Sequence, residues 1–252
     1  MGKLDGRVAI VTGGGQGIGR GVALVLAREG ADVVVVDMNP ETAGRTAAEV
    51  EGLGRRALAV PTDVRRRREV EACVAAAEQA FGRIDALVNC AQIQRQQVAF
   101  EDTTDDDMDV VLGSGLMGTF YFMQACFPAM RRRGGKIVNV ASAAGLVGYK
   151  GWASYAVAKE GIRALTKVAA NEWGQHKINV NAICPLSLTP SMKEWHTNNP
   201  ELSKIMIDSI PLGRVGDPEQ DIGRAVAFLA GPDSDFITGA TLMVDGGQTI
   251  LH

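Results

Sequence analysis

The sequence predicts an α/β fold: a single doubly wound domain spanning residues 1–252, with a seven-stranded parallel sheet and helices on both faces. Three observations predict it. Seven runs rich in valine and isoleucine recur along the chain, with stretches of helical periodicity between them. Most of these runs are apolar on both faces rather than alternating, the signature of parallel strands covered on both sides. A glycine-rich turn follows the first run directly and opens the first helix.

Taken in order, the strands are expected at Val8 to Val11, Asp32 to Val36, Ala57 to Val60, Ala86 to Asn89, Lys136 to Ala141, Asn179 to Ile183 and Leu242 to Asp245. Helices fit between them at 18–29, 41–52, 66–80, 105–132, 153–174 and 218–229. The fourth helix is punctuated clearly: Thr104 with Asp107 forms a capping-box pattern, Asp105 and Asp106 sit in the first turn, and Arg131 to Arg133 with Gly134 close the other end. Met108, Leu112, Leu116, Phe120, Met123, Phe127 and Met130 trace one stripe, read as its core face. Gly113, Gly115 and Gly118 interrupt it, each disfavouring helix by about 1 kcal/mol relative to alanine. They mark a bend or a close approach.

Composition excludes several classes of function. A net charge of −3 gives no concentrated basic face, so neither nucleic acid nor an anionic membrane is expected as a partner. The arginine runs 65–68 and 131–133 read as solvated helical surface or as helix C-terminal turns. No signal peptide precedes the first strand and no apolar run reaches the ~18 residues of a membrane span, so the expected location is cytoplasmic. Gly6 stands where N-myristoylation requires Ser or Thr, which removes Gly2 as a lipidation site. Cys73, Cys90, Cys126 and Cys184 read as free buried thiols. His176, His196 and His252 are scattered, and no metal site is expected.

The glycine-rich turn, "TGGGQGIGR", carries Gly13, Gly17 and Gly19. Glycines there let the backbone approach a pyrophosphate that the helix N-terminus stabilises, although a plain tight turn reads the same way. Asp37, at the end of the second strand and 18 residues past Gly19, suits a ribose diol and repels a 2′-phosphate. The alternative is a turn or capping aspartate. Neither Gln16 nor Met38 supplies the cation a 2′-phosphate needs, so NAD is the expected cofactor. In "SYAVAKE", Tyr155 and Lys159 fall one helical turn apart on one face, and Ser142 follows the fifth strand. A phenol titrates near ~10 and needs a nearby cation to act as acid or base close to neutral pH, which Lys159 can be.

Together with Asp63 in "TDV", Asn89 in "VNCA" and "VDGG" near the end, these motifs resemble the short-chain dehydrogenase/reductase family over essentially the whole chain. The resemblance implies a Rossmann domain and hydride transfer between NAD(H) and a secondary alcohol or ketone. It implies Ser142, Tyr155 and Lys159 as the catalytic set, Tyr155 moving the proton, Lys159 also holding the nicotinamide ribose, and Ser142 orienting the substrate oxygen. Cofactor contacts are implied at Gly13, Gln16, Gly17, Ile18, Asp37, Asp63, Val64, Asn89, Ala91, Tyr155, Lys159, Pro185 and Thr189. The alternative readings are a strand-end turn former for Asn89 and a helix cap for Thr189.

Three positions depart from the family pattern. Gln92 stands for a glycine after the fourth strand, Leu186 follows Pro185 where glycine is usual, and Gly115 replaces an asparagine that supports the Tyr–Lys pair through a water. Backbone carbonyls and water near Gly115, with Gln92 or Ser114 helping, are the expected substitute. The segment 186–217 is implied as a substrate lid, with Gln92, Val147, Trp152, Met192 and Trp195 lining an apolar pocket for a small-molecule substrate. A homotetramer is implied, with Phe122, Cys126 and Ala129 on the fourth helix and Ala169, Ala170 and Trp173 on the fifth as surplus apolar faces. Two further readings remain: a 3-oxoacyl-thioester reductase, whose usual NADPH Asp37 opposes, and a cofactor-binding scaffold with weakened catalysis.

Overall fold

The computed structural model describes residues 2–95 and 97–250. Seven parallel strands form one sheet in the order β3-β2-β1-β4-β5-β6-β7. They are β1 (Val8–Thr12), β2 (Asp32–Asp37), β3 (Ala57–Pro61), β4 (Ala86–Asn89), β5 (Gly135–Val140), β6 (Ile178–Pro185) and β7 (Thr241–Val244). Each strand predicted from sequence is present, with its ends within two residues of the expected ones. The order reverses direction between β1 and β4, so a crevice opens outside their carboxyl ends. Thr12 pairs there with Asn89, and Asn89 in turn with Asn139 of β5.

Helices α1 (Gly17–Arg28), α2 (Pro40–Gly52) and α10 (Arg224–Ala230) cover one face, where Val22, Leu26, Val50 and Val226 pack on Ala9, Val11, Val33 and Val35. The opposite face takes α3 (Arg67–Phe81), α5 (Gly118–Arg131) and α7 (Ala153–Trp173), with Val70, Val74, Phe122, Met130 and Ala170 against Ile10, Leu87 and Ile137. Alternate residues of β1 thus enter opposite cores. That is why its run is apolar throughout.

The predicted helix 105–132 is three pieces: α4 (Asp105–Leu112), a π-helical turn at Gly113–Met117, and α5. Its N-terminus is capped as expected, with Thr104 and Asp107 satisfying each other's backbone amides. The stretch Asp105–Arg131 is apolar enough by length and composition to cross a membrane, contrary to the expectation that no such run exists. Here its inner face packs on the sheet.

That face coincides with the predicted stripe only at Met123 and Met130. Val111, Ser114, Gly115, Gly118, Thr119, Phe122, Met123, Cys126, Ala129 and Met130 are the buried positions, while the stripe residues Met108, Leu112, Leu116, Phe120 and Phe127 are half-buried. The smallest residues mark the closest approach, and a pattern built on large side chains steps past them. Phe122, Cys126 and Ala129, expected at a subunit interface, are therefore core residues at 0, 0 and 5% exposure. Ala169 and Ala170 are buried in the same core, and Trp173 stacks on Phe127 with ring centroids 4.7 Å apart.

Between β5 and α7 lies the short helix α6 (Ala143–Val147), and within 186–217 lie α8 (Pro190–Asn198) and α9 (Pro200–Asp208); none was expected. The predicted helix 218–229 begins as a second π-helical turn, Pro218–Gly223, before α10. All four cysteines are free, and no metal-ligating cluster exists among the described residues.

Candidate active site

The loop between β1 and α1 forms a cradle at the crevice. Gly13 and Gly17 adopt φ of +63° and +53°, a backbone that other L residues rarely take. The Asp37 carboxylate, ending β2, accepts the Gly15 amide at 2.9 Å and the Asn39 amide at 3.0 Å. A side chain at Gly15 would collide with Asp37 Oδ2 at 2.8 Å. The cradle and the carboxylate are thus one unit, sized for backbone contact and closed to bulk. Gln16 is the N-cap of α1 with its side chain unused in capping, and Ile18 packs on the core beneath. Beside them lies a cavity of about 440 Å³ lined by Gly15, Gln16, Gly17, Arg20, Arg45 and Lys193, among others. These residues fit a pyrophosphate and ribose: free amides, a carboxylate for a diol, and cations nearby.

On the β4 side, Thr12 Oγ1 accepts the amides of Cys90 and Ala91 at 3.0 and 3.1 Å, which fixes the turn leaving β4. Asn89 donates its amide to Asn139 at 2.8 Å, and Asn139 donates to Thr166 at 2.9 Å. Asp63 is engaged: its carboxylate receives the Arg65 guanidinium at 2.7 Å, which holds it below the usual carboxylate range. Val64 is buried against Gly118.

Ser142 is the N-cap of α6 and accepts the Ala144 amide at 3.1 Å. Tyr155 and Lys159 project from the first two turns of α7, and the Lys159 ammonium lies 5.3 Å from the Tyr155 ring centroid. Lys159 is 2% exposed and donates to Val140 O at 2.8 Å. Burial pushes its pKa down to about 8. Burial also raises that of Tyr155, an effect that Ser142 partly offsets by favouring the ionised phenol. Burial thus works against ionisation of both groups, the phenol and the ammonium alike.

The helix break stands next to this cluster. Gln92 folds its carboxamide into the π turn, donating from Nε2 to Ile93 O at 2.9 Å and to Val111 O at 3.0 Å, rather than lining a pocket as expected. Ser114 Oγ donates to Val110 O at 2.8 Å and accepts the Ile93 amide at 2.9 Å. A π turn frees carbonyls from the i→i−4 ladder, and these two side chains take them up.

Pro185 ends β6, and Thr189 caps α8 through the Met192 amide at 3.2 Å; its methyl lies 3.5 Å from where a Gly17 side chain would start. Thr189 is thus both a cap and a neighbour of the cradle. Met192 and Trp195 lie half-buried on α8, and Trp152 meets Tyr155 edge-on at 5.3 Å. Val147 is 53% exposed on α6. A second cavity, about 630 Å³, lies by Pro211, Leu212, Met243 and Gly246, away from Tyr155.

The family model described as "Enoyl-(Acyl carrier protein) reductase" matches residues 13–249. A 12alpha-hydroxysteroid dehydrogenase from a Clostridium species is 42% identical over 255 residues, covering 98% of each chain. A 3-oxoacyl-[acyl-carrier-protein] reductase from Thermotoga maritima is 35% identical over 250 residues, covering 98% of this chain and 100% of the relative. Among solved structures, a 7 alpha-hydroxysteroid dehydrogenase complexed with NADH and 7-oxo glycochenodeoxycholic acid superposes with a TM-score of 0.92 at 34% identity, covering 97% of this chain and 94% of that one. The chain belongs to the short-chain dehydrogenase/reductase family. It is an oxidoreductase of CH–OH groups that uses a nicotinamide cofactor and a small-molecule substrate.

Proposed function

We propose that this chain transfers hydride between NAD(H) and a mostly apolar secondary alcohol or its ketone, such as a hydroxyl carried on an alicyclic ring. The observation that carries the reading is the placement of Tyr155 and Lys159 on one face of α7, at the same end of the sheet as the Asp37 cradle. Asp37 supports NAD over NADP, because its carboxylate lies where a 2′-phosphate would be repelled.

In this mechanism Gly13, Gln16, Gly17 and Ile18 would hold the pyrophosphate, Asp37 the adenosine ribose, and Asp63, Val64, Asn89 and Ala91 the adenine and the adjoining ribose. Pro185 and Thr189 would lie on the nicotinamide side. When bound, the nicotinamide supplies or accepts the hydride. Ser142 orients the substrate oxygen. Tyr155 Oη gives its proton to that oxygen in reduction and takes it in oxidation. Lys159 supplies the positive charge beside the phenol, and its anchorage at Val140 O sets where that charge sits. Residues 186–217, with α8 and α9, act as a lid that brings Met192 and Trp195 over the substrate beside Val147 and Trp152. The assembly is a homotetramer in the cytoplasm, with Phe122, Cys126 and Ala129, as core positions, making none of its helix contacts.

The 3-oxoacyl-thioester reading draws on the Thermotoga relative and is opposed by Asp37. The test is reduced-nicotinamide formation or consumption over a panel of ring-borne alcohols, acyl thioesters and acyclic polyols, in the wild type and Tyr155→Phe. Turnover on ring-borne alcohols that Tyr155→Phe abolishes supports the proposal. Turnover only on thioesters supports the second reading, and NADH binding with no turnover on any substrate supports a scaffold.

A further inference from the structure

The segment 186–217 carries a cation into the wall of the cavity beside the glycine cradle. That cavity, about 440 Å³, is bounded by Gly15, Gln16 and Gly17 on one side and by Pro190 and Lys193 on the other. Every carboxylate in its wall is engaged. Glu49 meets Arg20 at 2.6 Å, Glu219 meets Arg28 at 2.6 Å and Arg20 at 3.5 Å, and Asp217 accepts the amides of Glu219 and Gln220, each at 2.8 Å. Arg20 is thereby neutralised. Two cations of the wall remain, Arg45 on α2 and Lys193 on α8, and neither forms an ion pair among the described residues.

The first turn of α8 rests on the cradle itself. Pro190 Cδ lies 3.6 Å, and the Thr189 methyl 3.5 Å, from the place a Gly17 side chain would take. Lys193 stands one turn further on, its amide donating to Thr189 O at 2.9 Å. Helical side chains lean toward the N-terminus of their helix, so the stem of Lys193 runs back toward the cradle. Met192 and Trp195, on the same helix, are half-buried where Lys193 is exposed. The ends of the segment are pinned together, Leu188 N donating to Gly216 O at 2.8 Å and Gly216 N to Leu186 O at 3.2 Å. Its two helices are tied as well: His196 hydrogen-bonds Ser203 of α9, and Asn199 Nδ2, between the helices, donates to Trp195 O at 3.0 Å. Whatever holds α8 therefore holds α9 with it.

We propose that Lys193 binds the diphosphate of the cofactor: its ammonium pairs across the cavity with the phosphate oxygens that the cradle receives, so that bound cofactor fastens α8, and with it Met192 and Trp195, in place. The inference rests on the reading of the glycine turn as a dinucleotide cradle and of 186–217 as a lid. A diphosphate brings two negative charges to a wall that holds unpaired cations. The cradle answers them with amides, which are partial charges, and Lys193 adds a full one from the facing side. Coupling of this kind is reciprocal, so what the ion pair adds to cofactor affinity it also adds to docking of the lid. Arg45 can attract the same diphosphate, but it stands on α2, outside the lid, and fastens nothing. The wall of the substrate site is then complete only after the cofactor has bound.

The test reads binding and lid motion, so it does not depend on finding the substrate. NADH affinity is measured by fluorescence in the wild type, in Lys193→Met, which keeps the stem and removes the charge, and in Lys193→Arg, which restores a cation. Hydrogen exchange of residues 190–208 is followed with and without NADH. The Kd for NADH rises about tenfold in Lys193→Met and returns to within about threefold of wild type in Lys193→Arg. Its dependence on salt becomes shallower in Lys193→Met. The affinity for adenosine, which lacks the diphosphate, is unchanged when read by displacement of NADH. NADH slows exchange of 190–208 in the wild type, Lys193→Arg and Arg45→Met, but not in Lys193→Met. An NADH affinity unmoved in Lys193→Met overturns the proposal. So does a loss of adenosine affinity in step with that of NADH, which makes the effect one of folding. Protection that survives in Lys193→Met, or disappears equally in Arg45→Met, overturns it as well, because the lid then does not depend on its own cation. Absent turnover on every substrate leaves these measurements readable and counts instead against the function proposed above.

Discussion

The two ends of the crevice hold their functional groups by different means. On the β1–β2 side the groups are backbone amides, presented by Gly13 and Gly17 at positive φ and locked by one carboxylate, Asp37. These lie within a short stretch of chain. On the β4–β5–α7 side the groups are side chains carried by elements distant in sequence: Ser142 before α6, Tyr155 and Lys159 on α7, Gln92 beyond β4, and the π turn at Gly113–Met117. The first side is built to bind by shape and tolerates no bulk. The second depends on a buried charge and its hydrogen-bond partners. Substitutions should therefore act on affinity at the first side and on rate and pH dependence at the second.

The largest effect expected is at Tyr155. On the proposed mechanism Tyr155→Phe removes the proton carrier, and it should lower kcat by about 10³-fold while leaving NADH affinity near wild type. An equal loss in affinity would merge the two sides. Phe122 separates packing from assembly: Phe122→Ala should cost about 3–5 kcal/mol of stability as a core cavity, read as a fall in Tm that does not depend on protein concentration. A strongly concentration-dependent Tm would restore it to an interface. Asp37→Ala removes the acceptor of the Gly15 and Asn39 amides and should weaken NADH binding by about ten- to a hundredfold, with kcat on saturating cofactor little changed.

The smallest effect is in pH dependence. Reduction needs a protonated phenol, and burial raises the pKa of Tyr155, so ketone reduction should stay level through neutral pH. Oxidation needs the ionised phenol and should rise with pH in the alkaline range. Lys159 loses its charge through about pH 8, and the cation that favours the phenolate weakens from there upward. The rise of the oxidation rate should therefore be shallower above that pH than a single ionisation gives. A rate that is flat with pH in both directions would remove Tyr155 and Lys159 as the titrating pair.

What was legible in the sequence follows the same division. Doubly apolar runs gave the strands because both faces of the sheet are covered, and the glycine turn and Asp37 were readable because each works within its own neighbourhood. The buried face of the long helix was legible only in its C-terminal half, at Met123 and Met130, since Ser114, Gly115 and Gly118 mark the rest of it by being small. Helices α6, α8 and α9 escaped because short amphipathic turns lack a clear period. Gln92 and Gly115 were visible as two departures from one pattern, but the direction of the Gln92 carboxamide was not. That depends on carbonyls a π turn leaves free, which no periodicity encodes.

The most direct measurement is the steady-state rate of reduced-nicotinamide formation when the chain is mixed with an apolar ring-borne secondary alcohol and either NAD+ or NADP+. The account predicts turnover with NAD+ at a kcat/KM at least about tenfold above that with NADP+. Turnover favouring NADP+, or tight NADH binding without turnover on this or any other secondary alcohol, would contradict it.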